Sequence, residues 1–110
     1  AIGNDYGYEN VFSRELEAVG KPGDILIAIT TSGNSVNILK AIELGKKIGV
    51  QSFVLTGSSG GKIASKADCL HVPSDDTPRI QESHILIGHI VCGLVEQEMF
   101  PNLARRHLSN

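Results

Sequence analysis

No apolar run in this sequence approaches the roughly 18–20 residues that a bilayer-spanning helix needs, and no signal-peptide pattern is visible in it. The expectation is therefore a protein that neither crosses nor anchors in a membrane and works in the cytoplasm. Cysteine is scarce: Cys69 and Cys92 stand alone, without the CxxC spacing that zinc or redox chemistry would use. Two buried thiols in a reducing compartment are the expected reading. A surplus of positive charge is missing as well. Ten Lys and Arg face twelve Asp and Glu, a formal charge of −2, and no basic run exists to neutralise nucleic-acid phosphates. Arg105-Arg106 is too short to alter this and reads as part of a solvated tail. There is no initiator methionine either. The chain opens at Ala1-Ile2, so it is expected to begin inside a longer protein.

What is present suits one small soluble domain: 110 residues, 41% of them hydrophobic, enough for a single modest core. Val11, Phe12, Leu16 and Val19 share one helical face, and Gly20 with Pro22 ends that helix. Residues 24–29 form a nearly continuous apolar run, the pattern of a strand buried on both faces. Ile38, Ala41, Ile42, Gly45 and Ile48 stripe the next helix, which stops near Gly49. A second buried strand covers 52–55, a glycine turn 57–61, a short helix 63–67 and a third strand 69–72. Thr77 is the expected N-cap of the last helix, with Pro78 at its first position and its end near Met99. Ala1-Ile2 could close an earlier strand. This rhythm implies a three-layer α/β/α domain with a parallel sheet and right-handed crossovers, Rossmann-like in layout. The domain is assigned to residues 1–99 and a tail to 100–110.

The last helix carries Ile80, Ile85, Leu86, Ile87, Ile90, Val91, Leu94 and Val95 around most of its circumference. A helix apolar on nearly all sides must be covered on nearly all sides. So small a domain cannot do that alone, so a further segment or a homo-oligomer is implied.

The strongest chemical signal is Thr30-Thr31-Ser32-Gly33-Asn34-Ser35, where a strand ends and a helix begins. Ligands of open α/β sheets bind at this edge, and a helix N-terminus offers unpaired N–H groups and a positive dipole end. Four hydroxyls and a glycine complete a phosphate cradle that has no lysine. The stretch is neither a Walker loop nor a dinucleotide fingerprint. Residues 57–61 formally match GxSxG, but the chain is too small for an α/β hydrolase, and a glycine turn is the preferred reading. Asp75-Asp76 reads as a solvated polar turn. Asn4-Asp5 admits two readings, a sugar-hydroxyl contact or an Asx turn. On the last helix, Gln81 and His89 are eight positions apart, about 12 Å of rise and about 80° of rotation, which by itself does not pair them. His84 and His89 each fit either a hydrogen-bonded core histidine or a functional one, and Gly88 leaves space beside His89.

Three stretches together resemble the phosphoheptose isomerase family of SIS-domain proteins: residues 3–7 with Phe12-Ser13-Arg14, residues 30–35, and Arg79-Ile80-Gln81-Glu82 with His84 and His89. The resemblance runs to about Met99 and implies an SIS-type domain whose N-terminal part precedes Ala1. It implies an aldose–ketose isomerase acting on sedoheptulose 7-phosphate, the first step toward ADP-heptose for lipopolysaccharide. By the same likeness Thr30, Thr31, Ser32 and Ser35 bind the phosphate, while Asn4, Asp5 and Gln81 contact substrate. His89 is the acid/base histidine, and Gln81 and His89 are zinc ligands in some members. The remaining zinc ligands and a glutamate acting with His89 would lie upstream. Thr30 stands where several members carry serine, which keeps the hydroxyl. A homotetramer with sites at subunit interfaces is implied too.

Two other functions fit the pattern. One is a non-catalytic SIS protein that binds a replication-initiator partner, which Phe100-Pro101 would suit; His89 favours the enzyme. The other is a phosphosugar-sensing domain of a regulator, for which no DNA-binding segment is visible in this sequence.

Overall fold

Alternation of side chains along 25–29 sends Leu26 and Ala28 to one face of a strand and Ile25, Ile27 and Ile29 to the other. The computed structural model, which describes residues 7–102, builds strand β1 (Ile25–Ile29) from this segment. It is preceded by a 3-10 turn (Tyr8–Asn10) and helix α1 (Val11–Val19). Helix α2 (Val36–Ile48), strand β2 (Gln51–Thr56), a 3-10 helix (Gly61–Ser65), strand β3 (Asp68–His71) and helix α3 (Thr77–Met99) follow. The strands are parallel in the order β1-β2-β3, with Ala28 opposite Val54 and Val54 opposite Cys69.

Ala28, Ile42, Val54 and Ile63 make the core, with Leu26, Ile38, Leu39, Ala67 and Cys69 packed against it. Ile42 and Ile63 are fully buried, each worth about 1.5–3 kcal/mol of burial. Alpha helix α2 and the 3-10 helix therefore cover one face of the sheet. Helix α1 lies against α2, where the absence of a side chain at Gly45 lets Leu16 approach. Lys40 reinforces the join through an ion pair with Glu9 (3.0 Å) and a hydrogen bond to the Asn10 side chain (3.3 Å). Gly49, in the left-handed region at φ 83°, ends α2. Helix α3 takes the opposite face, with Ile80 and His84 buried. The three-layer α/β/α architecture with a parallel sheet is thus observed.

Several expectations need correction. Beta strand β1 is not buried on both faces: Ile25, Ile27 and Ile29 are between 53% and 62% exposed. Among the described residues it is an edge strand, and α3 bonds to the sheet through its early turns, at the end of β2. The short helix is a 3-10 helix starting at Gly61, because Gly60 and Gly61 both take positive φ on entry. The third strand begins one residue earlier, at Asp68. Asp76, with extended backbone, is the N-cap of α3, and its carbonyl accepts the first helical bond from Ile80 N–H at 3.0 Å. Thr77 is already helical, which places Pro78 second. Cys69 is half-buried, and burial followed by the neighbouring Asp68 charge pushes its thiol pKa up. Cys92, expected to be buried, is exposed.

The apolar circumference of α3 is likewise uncovered. Ile85, Leu86, Ile90, Val91, Leu94 and Val95 are exposed. A groove of about 510 Å³ runs between this helix and the sheet, lined among others by Phe53, Leu70, Ile87 and Val91. No described helix is long and apolar enough to cross a membrane.

Candidate active site

Beta strands β1 and β2 are parallel neighbours, so the turns that leave them, 30–35 and 57–61, meet at the same sheet edge. Ladder bonds continue past the strand ends: Thr30 N–H to the Leu55 carbonyl and Gly57 N–H to the Thr31 carbonyl, both 3.0 Å. The two turns then interlock. Ile63 N–H donates to the Gly33 carbonyl at 3.0 Å, and Lys62 N–H donates to Asn34 Oδ1 at 2.9 Å. Gly33 has φ 71°, and a Cβ there would stand 1.9 Å from the Gly60 carbonyl oxygen. Only glycine satisfies both conditions.

The four hydroxyls of 30–35 divide their work. Thr30 is buried, and its Oγ1 lies 2.8 Å from Ser35 Oγ while accepting Gly33 N–H at 3.2 Å. It holds the turn in shape. Ser35 is the N-cap of α2 by position, but its hydroxyl makes no cap bond because it is turned to Thr30. In the first turn of α2, Ile38 N–H donates to Asn37 Oδ1 at 2.8 Å, while the N–H groups of Val36 and Asn37 have no intrahelical partner, as at any helix start. Ser32 is exposed, and its Oγ accepts Asn34 N–H at 3.1 Å. Thr31 and Ser32 line a cavity of about 230 Å³ whose other wall is Ser58, Ser59, Ser74 and Asp75. The cradle is therefore two hydroxyls on a cavity wall, backed by two that organise the backbone.

The wall opposite was missed in the sequence. Its anchor is Thr56, fully buried at the end of β2. His71 Nδ1 lies 3.0 Å from Thr56 Oγ1 and 3.3 Å from the Gly57 carbonyl. His84 Nε2, from α3, lies 2.9 Å from the Thr56 carbonyl oxygen. A ring nitrogen facing a carbonyl must carry the proton, so His84 is protonated on Nε2. Its Nδ1 is buried without a partner among the described residues. His84 is the core histidine of the helix. The only available signal was its place one turn after Ile80, itself buried.

Gln81 and His89 are both exposed on α3. Ile80 lines the cavity, and His89 stands nine residues on, about 14 Å along the axis and about half a turn round. The fold of one chain therefore does not bring His89 to the hydroxyl turn. A Cβ at Gly88 would meet nothing within 4 Å, so the space beside His89 is open. Among the described residues no group of three His, Cys, Asp or Glu could hold a metal. Gln81 and His89 are two donors, short of the four that zinc takes, and the described residues do not by themselves form a zinc site. Asn4 and Asp5 lie outside the described residues.

No family profile matches the chain. It is 60% identical over 103 residues to a phosphoheptose isomerase from Aneurinibacillus thermoaerophilus, covering 93% of this chain and 52% of that protein. A phosphoheptose isomerase from Sulfurimonas denitrificans is 61% identical over 101 residues, covering 91% and 52%. Among solved structures, a phosphoheptose isomerase from Neisseria gonorrhoeae superposes with a TM-score of 0.81 at 44% identity, over 86% of this chain and 54% of that one. One from Francisella tularensis gives 0.83 at 41%, over 87% and 52%. The chain spans about half the length of the relatives it matches.

Gly33→Ala should lower unfolding stability by about 2–4 kcal/mol, since it combines a positive-φ penalty with a backbone clash. Urea denaturation measures this, and an unchanged midpoint would mean the two turns are not in contact.

Proposed function

This chain is a homologue of the phosphoheptose isomerases over nearly its whole length, and from that we propose that it supplies the phosphate grip and one proton-transfer group of a sedoheptulose 7-phosphate isomerase. The observation that carries the reading is the interlocked, hydroxyl-rich turn at 30–35, placed at the carboxyl edge of a parallel sheet beside a helix start. Such a turn binds a phosphate through N–H groups and hydroxyls without needing a lysine. Thr30, Thr31, Ser32 and Ser35 are its residues, with Asn4, Asp5 and Gln81 contacting the carbon chain.

The reaction moves a proton between adjacent carbons through an enediol, giving D-glycero-D-manno-heptose 7-phosphate. By the same resemblance His89 is the acid/base group of this transfer. A glutamate, assigned by resemblance to sequence before Ala1, shares the transfer. Zinc, when bound, would polarise the substrate carbonyl as a Lewis acid, with Gln81 and His89 among its ligands and the others outside the described residues.

His89 lies far from its own chain's hydroxyl turn, which suits a site shared between subunits. The exposed apolar circumference of α3 supports the same arrangement, a homotetramer built partly on that helix. A cytoplasmic location and a place at the start of ADP-heptose synthesis for lipopolysaccharide belong to this reading.

Three measurements on the full-length protein test it. Ser32→Ala with Ser35→Ala should weaken sugar-phosphate binding about tenfold or more while the fold persists; calorimetry showing unchanged affinity refutes the phosphate assignment. His89→Gln should cut isomerisation by about 10² or more with thermal stability and phosphate affinity kept. Normal turnover in that variant would make His89 structural and favour a partner-binding role. Light scattering should give a tetramer, and a clean monomer at micromolar concentration rejects the shared site.

A further inference from the structure

Hydroxyls line the cavity between the two turns all round, Thr31 and Ser32 on the side proposed above for phosphate and Ser58, Ser74 and Thr77 elsewhere, and Asp75 is the one charged residue on its lining. A carboxylate is a poor neighbour for a phosphate, since like charges repel and both groups only accept hydrogen bonds. Asp75 is nevertheless held in place: Ser58 Oγ, on the glycine turn, donates a hydrogen bond to its Oδ1. No other group among the described residues bonds this carboxylate, which leaves Oδ2 available to a ligand. At about 230 Å³ the cavity is smaller than the roughly 300–1,000 Å³ of a complete small-molecule site. It holds one end of a ligand, the phosphate and the carbons next to it.

We propose that Asp75 is a specificity-determining residue that accepts hydrogen bonds from hydroxyls on the carbons beside the phosphate, selecting a polyhydroxylated sugar phosphate over other phosphates. The proposal rests on the sugar-phosphate reading above and deepens it. A carboxylate and a hydroxyl are complementary, and a hydrogen bond to a charged acceptor is stronger than one between neutral groups. Ser58 acts as a positioning residue: its bond engages one carboxylate oxygen and leaves the other for a ligand. The arrangement divides recognition between hydroxyl donors for the anion and an anion for the hydroxyls.

Asp75→Asn in the full-length protein keeps the shape and an acceptor for Ser58 while removing the charge. Asp75 is exposed, so the variant should fold, and a thermal melt checks that. Binding of sedoheptulose 7-phosphate by calorimetry should weaken about tenfold or more, and KM should rise with kcat kept within about twofold. Inorganic phosphate, as a competitor, should bind the variant as well as the wild type or better. Ser58→Ala leaves the charge in place and should cost the sugar phosphate less than Asp75→Asn does. Unchanged sugar-phosphate affinity in Asp75→Asn overturns the proposal. So does a parallel loss of phosphate affinity, which would make Asp75 a brace for the turns. A wild-type protein that binds the heptulose phosphate but does not isomerise it sinks the enzymatic reading alone, and the Asp75 comparison still decides by binding. If the wild type binds inorganic phosphate and not the sugar phosphate, the proposal fails while the phosphate cradle stands.

Discussion

Everything at the functional edge depends on one close approach, the backbone of Gly33 lying against that of Gly60. Two consecutive crossovers of a parallel sheet deliver their turns to the same side, but nothing in that topology makes the turns touch. They touch here because Gly33 carries no side chain and because two N–H groups of the 3-10 helix that follows the second turn, those of Lys62 and Ile63, find acceptors in the first, the Asn34 side chain and the Gly33 carbonyl. Fixing two loops against each other removes the freedom each would have alone, so the hydroxyls of 30–32 are presented by a rigid backbone. Thr56 extends this support inward. Its carbonyl accepts from Val72 N–H and from His84, which ties β3 and α3 to the same point.

Much of this was legible in the residues. The helices and strands followed from period and punctuation, and the position of 30–35 between an apolar strand and an amphipathic helix singled out the candidate site. The resemblance to phosphoheptose isomerases agrees with the homologues and with the superposed structures. Other features were not legible, for physical reasons. Continuous apolarity in 24–29 suggested two buried faces, yet the pattern reports what a strand is suited to, and the layer that would cover Ile25, Ile27 and Ile29 is not among the described residues. Local spacing could not reveal the Gly33–Gly60 contact, the Ser58–Asp75 bond or the grip of two histidines on Thr56, since each joins residues far apart in sequence. Asp75 looked like a solvated turn residue because its neighbours in sequence are polar; its neighbours in space are the turns of the cavity.

The same limit separates His84 from His89. Both are histidines on one largely apolar helix, and sequence alone left each open to a core or a functional role. The fold distinguishes them by burial. His84 turns inward to a carbonyl, whereas His89 is exposed on a face that the described residues leave uncovered. On the function proposed here, His89, held away from the hydroxyl turn of its own chain, is incomplete alone, and its chemistry depends on what packs against α3.

The division of labour inside residues 30–35 bears on how such a site could change over evolutionary time. The glycines carry the shape, and the buried Thr30 hydroxyl fastens it; the groups that line the cavity, Thr31 and Ser32, are side chains on an already determined backbone. Exchanging those outer side chains would alter what is recognised without asking the domain to refold. Exchanging Gly33 or Gly60 would dismantle the platform itself. A lineage built on this edge is thus free to explore new ligands through a few surface positions, and bound to keep its two glycines while it does so.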